Sequence, residues 1–207
     1  MKVLLVNGSP HEKGCTHRAL CEVQKALEQN GVDSEIFWVG QDPLSGCLGC
    51  GACRELGKCF LDDKVNEFVQ KAESADGVVF GCAVHYASVT GSIKPFMDRV
   101  FYSGGRHLRY KPAAGVVSCR RGGSSATLDI LNKYFTINCM PVVSSSYWNM
   151  VHGAIPAQVE QDEEGLHTMR TLGHNMSWLL KCIALGKEQG IEPVKEKKVW
   201  TNFVRNS

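Results

Sequence analysis

The sequence predicts an α/β fold in which a five-stranded parallel sheet is covered by helices on both faces, a three-layer αβα arrangement. Short apolar runs rich in Val, Ile and Leu alternate with longer amphipathic segments along the chain. Continuous apolar runs are typical of strands buried on both faces, and strand–helix alternation is the connectivity of a parallel sheet. With 207 residues, 43% of them hydrophobic, and a formal net charge of +2, the chain can form one full core and shows no bias toward nucleic acid or anionic membranes.

The elements can be assigned in order along the chain. The first strand covers residues 3–6 and ends at a Gly-Ser-Pro turn; the helix after it has Thr16 as a candidate N-cap and Asn30-Gly31 as its stop signal. Further strands are expected at residues 34–39, 77–81, 113–118 and 140–144. Helices are expected between and after them, with inward faces marked by Phe68, Phe96, Leu131 and Leu172. Five such strands predict the order 2-1-3-4-5.

A single domain is expected over residues 1–190, with a Cys-rich insertion at 45–60 and a charged C-terminal tail at 191–207. The apolar run of the first strand is too short for a signal peptide or a membrane span, so we expect a cytoplasmic protein with reduced cysteines. Cys21, Cys139 and Cys182 fall on apolar faces and are expected in the core.

The turn after the first strand has the composition of a phosphate-binding loop, because small polar residues there leave backbone N–H groups free at a helix N-terminus. A triphosphate loop needs Gly-Lys followed by Ser or Thr, and a dinucleotide loop needs Gly-x-Gly-x-x-Gly; neither pattern is present. Cys15 and Arg18 are too close together for a cysteine-phosphatase cradle. The remaining interpretations are a site for a terminal monoester such as that of FMN, and a strand-to-helix turn without a ligand.

Two more loops follow predicted strands, at the edge where open α/β sheets bind ligands. Residues 81–94 contain the adjacent rings of His85 and Tyr86, and the loop after Ser118 contains Gly122-Gly123. Rings among small residues suit a flat heterocycle, and a glycine pair lets the backbone approach its edge. The alternative is that His85 and Tyr86 only cap the sheet.

Together, Gly8-Ser9-Pro10, Gly14-Cys15-Thr16, the 81–94 loop and Asp98-Arg99 resemble the NADPH-dependent FMN reductase family of flavodoxin-like proteins. The resemblance implies a flavodoxin-like fold, FMN as cofactor and NAD(P)H as co-substrate. Cys15 stands where the family usually has Ser, Ala83 where it has Pro, and His85 where it has Tyr. The expected FMN-binding residues are Ser9, Pro10, Gly14, Cys15 and Thr16 at the phosphate, Ala83, Val84, His85 and Tyr86 at the isoalloxazine ring, and Ser118, Gly122 and Gly123 in the loop after the fourth strand.

The Cys-rich insertion carries Cys47, Cys50, Cys53 and Cys59 in the pattern Cys-x2-Cys-x2-Cys-x5-Cys. This close spacing among glycines lets one loop wrap a [4Fe-4S] cluster, and it resembles the motif of iron-sulfur flavoproteins, which pass electrons between such a cluster and FMN. Structural zinc sites usually use two Cys pairs a dozen or more residues apart, and a disulfide is not expected in a reducing compartment. Thiols that pack near the flavin without any metal remain an alternative.

The expected function is that of an FMN-dependent oxidoreductase that passes reducing equivalents from NAD(P)H through FMN to a flavin, quinone, nitro or azo compound, or electron-transfer partner. One alternative is an electron carrier that links a ferredoxin-type donor, a [4Fe-4S] cluster and FMN. Another is a redox-sensing module with a structural flavin. No side chain is obligatory as an acid or base; His85 is a candidate proton donor or a packing residue.

The expected partners are a small-molecule acceptor or a redox protein, with no nucleic acid and no membrane. A homodimer or homotetramer is also expected, because one stretch of apolar and aromatic residues is larger than one domain's flank needs. The alternative is that these side chains complete the core. The stretch comprises Phe96, Val100, Phe101, Tyr102, Tyr147 and Trp148.

Overall fold

The computed structural model describes residues 1–197, 199 and 201. At its centre is a six-stranded sheet in which the parallel strands follow the order β2-β1-β3-β5-β6, while β4 pairs antiparallel with the end of β3. The strands are β1 (Lys2–Asn7), β2 (Asp33–Trp38), β3 (Gly77–His85), β4 (Ser88–Val89), β5 (Ala113–Cys119) and β6 (Met150–His152). The five parallel strands have the predicted flavodoxin-like order, so the predicted fold class is confirmed.

Helices cover both faces of this sheet. They are α1 (Cys15–Gln29), α2 (Cys53–Leu56), α3 (Lys64–Ser74), α4 (Ile93–Leu108), α5 (Ser124–Ile137), α6 (Pro156–Val159) and α7 (Glu163–Glu188). Alternate residues of β1 serve opposite layers: Leu4 and Val6 pack with α3, α4 and α5, whereas Val3 and Leu5 pack with α1 and α7. Each helix layer therefore has its own apolar core, and the sheet separates the two.

The last strand lies later in the chain than predicted. Residues 140–144 contact β5 only through a bridge between Val142 and Ala113, and the paired strand is β6 at residues 150–152. Between them the chain leaves the sheet, because the Ser145 hydroxyl bonds locally to the backbone oxygen of Tyr147 and to the Asn149 side chain. Local bonds of this kind compete with strand pairing.

The third strand is longer than predicted, so the expected 81–94 loop begins inside it. β3 continues to His85 and forms a hairpin with β4, and the turn residues Tyr86 and Ala87 have φ angles of 49° and 56°. A Cβ atom on Gly123 would lie 2.6 Å from Cα of Ala87. The hairpin tip therefore packs directly against the loop after β5.

Other expectations were wrong at the level of single side chains. Gly14, not Thr16, is the N-cap of α1, and Thr16 lies inside the first turn. Phe96 and Val100 are fully buried within the chain, so they complete the core and cannot form an interaction face. Among the cysteines expected in the core, Cys21 is half-buried, while Cys139 and Cys182 are exposed because they lie at a helix–strand turn and on the outer face of α7.

The predicted tail is irregular and exposed over residues 191–197. Its positions 198, 200 and 202–207 lie outside the described residues. In the described part of the chain, no helix has the length and apolar character needed to cross a bilayer.

Candidate functional site

A cavity of about 870 Å³ opens at the carboxyl ends of β1, β3 and β5. We call it the strand-end cavity. Its volume falls within the range of small-molecule and cofactor sites, roughly 300–1,000 Å³. Six of the residues expected at FMN line it: Ser9, Gly14, Cys15, Ala83, Val84 and Ser118.

The loop between β1 and α1 is braced by hydrogen bonds that occupy its carbonyl oxygens. Thr90 and Ser92 donate to the Gly8 oxygen, at 2.7 and 3.0 Å. The Trp38 indole donates to the Ser9 oxygen at 2.9 Å, and the Gln41 amide donates to the Pro10 oxygen at 2.9 Å. These carbonyls are therefore held by their neighbours and do not compete for the N–H groups of the same loop.

Several N–H groups of this loop remain available. Within the described residues, those of Glu12 and Lys13, and those of Thr16 and His17 in the first helical turn, have no hydrogen-bond partner. Helix N-termini bind anions through such groups and through the helix dipole. The exposed cations Lys13 and Arg120 line the same cavity together with exposed Glu12, so its charged side chains carry a net positive charge.

Two side chains of the first helical turn connect the loop to its surroundings. The Thr16 hydroxyl is 2.8 Å from that of Ser118, and both residues are buried. The Cys15 thiol donates to the Gly153 oxygen at 3.4 Å, and burial raises the pKa of this thiol although a backbone hydrogen bond lowers it. Cys15 therefore stays protonated and anchors the loop after β6 to α1.

The remaining expected residues lie around this cavity but do not line it. Pro10 is half-buried in the braced loop, while His85 and Tyr86 are exposed at the hairpin tip. Gly122 and Gly123 form the turn before α5, which supports that tip.

Sequence reasoning missed several residues that line the strand-end cavity. They are His11, Glu12, Lys13, Trp38, Gln41, Cys119 and the segment 153–156. Trp38 ends β2 and Gln41 follows it, at the same sheet edge, so strand order alone would have identified them. The segment after β6 could not be assigned because the predicted fifth strand was placed at residues 140–144 instead of 150–152.

A second cavity lies between the Cys-rich loop and α4. All four motif cysteines, Cys47, Cys50, Cys53 and Cys59, line it. We call it the cysteine cavity. Its remaining wall includes Phe60 and three residues of α4, Arg99, Tyr102 and Ser103.

The backbone of the Cys-rich loop depends on glycine. Gly49 and Gly51 have φ angles of 64° and 76°, in the left-handed region that favours glycine. These two residues flank Cys50 and curve the chain around the cavity. The short helix α2 begins at Cys53, whose thiol is 3.8 Å from the Tyr102 oxygen of α4.

Arg99 fixes the other end of this loop. Its side chain is 1% exposed, and its guanidinium lies 2.6 and 3.0 Å from the two carboxylate oxygens of Asp63 and 3.3 Å from Sγ of Cys59. Burial lowers the pKa of Arg99, but the bonds to Asp63 and Cys59 outweigh that effect and raise it overall. One of the residues that line the cysteine cavity is therefore a permanently charged hydrogen-bond donor.

No three His, Cys, Asp or Glu side chains of the described residues converge closely enough to hold a single metal ion. The cysteines are instead distributed around the cavity that they share. All ten cysteines of the chain are free thiols.

The comparisons with known proteins agree with this architecture. Residues 1–154 match the family model of NADPH-dependent FMN reductase. An iron-sulfur flavoprotein of Methanocaldococcus jannaschii is 32% identical over 88% of this chain and 99% of its own length. Another, from Methanosarcina thermophila, is 24% identical over 91% of this chain and its full length.

Among solved structures, the flavoenzyme NAD(P)H:(acceptor) oxidoreductase of Paracoccus denitrificans superposes with a TM-score of 0.65 at 15% identity, over 87% of this chain and 97% of its own. At that identity the likeness establishes the fold. The family-model match and the identity to the Methanocaldococcus protein go further. The chain belongs to the NADPH-dependent FMN reductase family of flavin-dependent oxidoreductases and, within it, to the iron-sulfur flavoproteins.

Proposed function

We propose that this protein transfers electrons between FMN in the strand-end cavity and a [4Fe-4S] cluster in the cysteine cavity. The main observation is that four cysteines spread along one loop line a single cavity, while a second cavity of cofactor size opens at the sheet edge. The names of the relatives, iron-sulfur flavoproteins, support the same assignment.

The strand-end cavity fits FMN by its donor chemistry. The free N–H groups of residues 12, 13, 16 and 17 would hold the phosphate, with Lys13 adding positive charge. Ala83 and Val84, half-buried at the end of β3, would lie along the ring, and Ser118 would be near it at the end of β5. Pro10, His85, Tyr86, Gly122 and Gly123 would then close the rim rather than the floor of the site.

The cysteine cavity fits a [4Fe-4S] cluster by the chemistry of its donors, because four thiols line it. In a tetrahedral zinc site with Zn–S bonds of about 2.3 Å, the sulfur atoms lie roughly 3.8 Å apart, and the described residues offer no such convergence. A [4Fe-4S] cluster carries each thiolate on a different iron, so its ligands surround a larger body. Cys47, Cys50, Cys53 and Cys59, arranged around one cavity, match that requirement.

When bound, FMN supplies one- and two-electron chemistry and the cluster supplies single electrons, so the pair can connect a one-electron donor to a two-electron acceptor. The chain's own contribution is to bind and orient. The braced loop would hold the phosphate end, and the hairpin at Tyr86-Ala87 would lie beside the ring end. Exposed His85, beside that end, is the candidate proton donor for an acceptor.

Anaerobic reduction kinetics test this proposal. A reduced ferredoxin-type donor should bleach the flavin of the holoprotein, and Cys53→Ser should lose most of that rate while dithionite still reduces its FMN. Cys182→Ser, which changes an exposed cysteine outside both cavities, is the matched control and should react like the unmodified protein. Equal rates in Cys53→Ser and Cys182→Ser would reject the role of the cysteine cavity in electron transfer.

Reduction by NAD(P)H is a second candidate function, favoured by the family model and by Arg120 at the mouth of the strand-end cavity. An exposed guanidinium there suits the phosphates of a nicotinamide cofactor. If NADPH is the donor, it should bleach the flavin within a catalytic timescale, and Arg120→Ala should raise KM more than it lowers kcat. Absence of bleaching by both NADPH and NADH would leave the electron carrier as the function.

A further inference from the structure

Arg99 has the bulkiest side chain among the fully buried residues of the described chain, and it carries a charge. A buried charge is costly unless it is paired and hydrogen-bonded. The contacts of this guanidinium therefore indicate what it is placed there to do.

Its donors are divided between a carboxylate and a sulfur atom. Nη1 and Nη2 form the forked pair with Asp63. Nε and Nη2 both lie 3.3 Å from Sγ of Cys59. Nη2 also donates to the Leu61 oxygen at 3.1 Å, so the guanidinium holds both the cysteine and the chain that follows it.

The pairing with Asp63 does not explain the contact with sulfur. A neutral thiol is a weak acceptor, yet two N–H groups of a buried cation are directed at this one. A metal-bound thiolate is negatively charged and is a much better partner for such donors. The arrangement is matched to a ligating sulfur rather than to a free thiol.

We propose that Arg99 is a positioning residue for the cysteine centre, holding Cys59 against the cavity and donating two N–H bonds to its sulfur when that sulfur ligates the cluster. The inference rests on the proposed [4Fe-4S] centre and extends it to a residue outside the cysteine motif. Hydrogen bonds to cluster sulfurs favour the more negative, reduced state. Arg99 should therefore raise the reduction potential of the cluster and slow its loss.

The chain offers a control that contacts the same loop without touching sulfur. Arg106, two turns further along α4, donates to the Gly57 oxygen at 2.7 Å and to the Ser103 oxygen at 2.9 Å. A conservative change there tests whether any weakened loop contact has the same effect. Arg99→Lys keeps the charge beside Asp63 but lacks the planar fork that reaches both oxygens and sulfur.

A second variant separates the ion pair of Arg99 with Asp63 from the contact of Arg99 with the Cys59 sulfur. Asp63→Asn removes the negative charge beside Arg99 but leaves the two N–H groups aimed at Cys59, and the amide oxygen can still cap α3 by accepting from Val65. If Arg99 had a purely structural role, Asp63→Asn and Arg99→Lys would have equivalent effects on the reduction potential of the cluster. If Arg99 positions the sulfur, the two variants should differ in that potential.

The experiment compares reconstituted holoproteins by cluster reduction potential, rate of iron loss to a chelator, and FMN affinity. Arg99→Lys should show a lower potential and roughly tenfold or faster iron loss, the scale of effects from residues that support metal ligands. Arg106→Lys should match the unmodified protein in both quantities, and Asp63→Asn should lose stability without a fall in potential. FMN affinity should not change in any variant, because Arg99, Asp63 and Arg106 do not line the strand-end cavity.

An unchanged potential and iron-loss rate in Arg99→Lys, in protein whose unmodified form holds its cluster, would overturn this inference alone. A potential that falls in Asp63→Asn in proportion to its loss of stability would overturn it as well, and that measurement does not require Arg99→Lys to fold. Unmodified protein that takes up no iron would overturn the proposed centre together with the role of Arg99.

Discussion

The buried hydroxyl groups of Thr16 and Ser118 join the first turn of α1 to the end of β5. The bond ties the first turn of α1, whose N–H groups we propose to hold the phosphate, to the end of the fifth strand. Removing the Thr16 hydroxyl would leave the Ser118 hydroxyl buried with one partner fewer, so the change affects both the helix terminus and the cavity wall.

Thr16→Ala should therefore weaken FMN binding. Loss of one hydrogen bond to a charged group, or of the Thr16–Ser118 contact that orients such a bond, costs on the order of 1.5–3 kcal/mol. This cost corresponds to an increase in Kd of about tenfold to more than a hundredfold. Thr16→Ser keeps the hydroxyl and should bind within a few-fold of the unmodified protein. Fluorescence titration of apoprotein with FMN measures both, and equal Kd values for the two variants would contradict this placement of the phosphate.

Gly123 supports the hairpin at Tyr86-Ala87, next to the strand-end cavity. Its φ of 87° is in the left-handed region, and an added Cβ would meet Ala87 at 2.6 Å. Gly122 next to it has open space at the same position and no positive φ. The two adjacent glycines are thus a natural test and control.

Gly123→Ala should lower the free energy of unfolding by about 1–3 kcal/mol and should weaken FMN binding, because the residue must adopt a strained conformation and displace the hairpin tip. Gly122→Ala should change neither quantity noticeably. Denaturant unfolding and FMN titration of both variants provide the measurement. Equal stabilities would mean that the hairpin does not need this close approach.

Helices α1 and α7 pack side by side, and a charged cluster connects them. Glu22, 6% exposed, accepts from Arg18 at 2.8 Å and from Arg170 at 2.7 Å. Burial alone would raise the pKa of Glu22, but its bonds to Arg170 and Arg18 outweigh burial and lower it. The carboxylate is therefore more acidic in the folded chain than its ordinary value of 4.5.

A lowered folded pKa contributes stability above the unfolded value, and that contribution is lost as the pH falls through the folded pKa. Glu22→Gln should cost about 1–3 kcal/mol near neutral pH, and the difference from the unmodified protein should shrink below about pH 4. Glu28→Gln, on the exposed side of α1, should show little change at either pH. A Glu22→Gln deficit that stays constant with pH would refute the assigned charge network.

The elements show what sequence patterns can and cannot provide. Apolar periodicity placed β1, β2 and β5 to within a residue and identified the inward faces of the long helices, because those segments bury regular faces in the two cores. β6 was missed because three residues give no periodic signal and the Ser-rich excursion before it interrupts the pairing. The Cys motif identified the loop, but its contact with Arg99 joins residues 40 positions apart and could not be read from local pattern.

Exposed aromatic side chains on the surface of the protein are relevant to its self-association. Phe96 and Val100 are buried in the core and offer no surface to a partner. Tyr102, Tyr147 and Trp148 are 54–67% exposed, and the rings of Tyr147 and Trp148 are 5.0 Å apart. Exposed rings of this size are typical of interaction sites. The homodimer or homotetramer therefore stays a prediction, now based on fewer side chains.

Light scattering at micromolar concentration should give a mass that is a twofold or fourfold multiple of the 22.8 kDa chain. Trp148→Ala should shift the distribution toward smaller species, since it removes one of the exposed rings, while Cys182→Ser should not. A stable 22.8 kDa species for the unmodified protein would end the prediction of self-association.

The central claim is that one chain binds two redox groups in separate cavities, which share no lining residue. Iron and acid-labile sulfide, measured together with FMN on anaerobically reconstituted protein, test it most directly. We predict about four irons and four sulfides per chain alongside bound FMN, and loss of the iron but not the FMN in Cys53→Ser. Flavin-loaded protein that contains no iron or sulfide after reconstitution would contradict the claim and leave a plain flavin reductase.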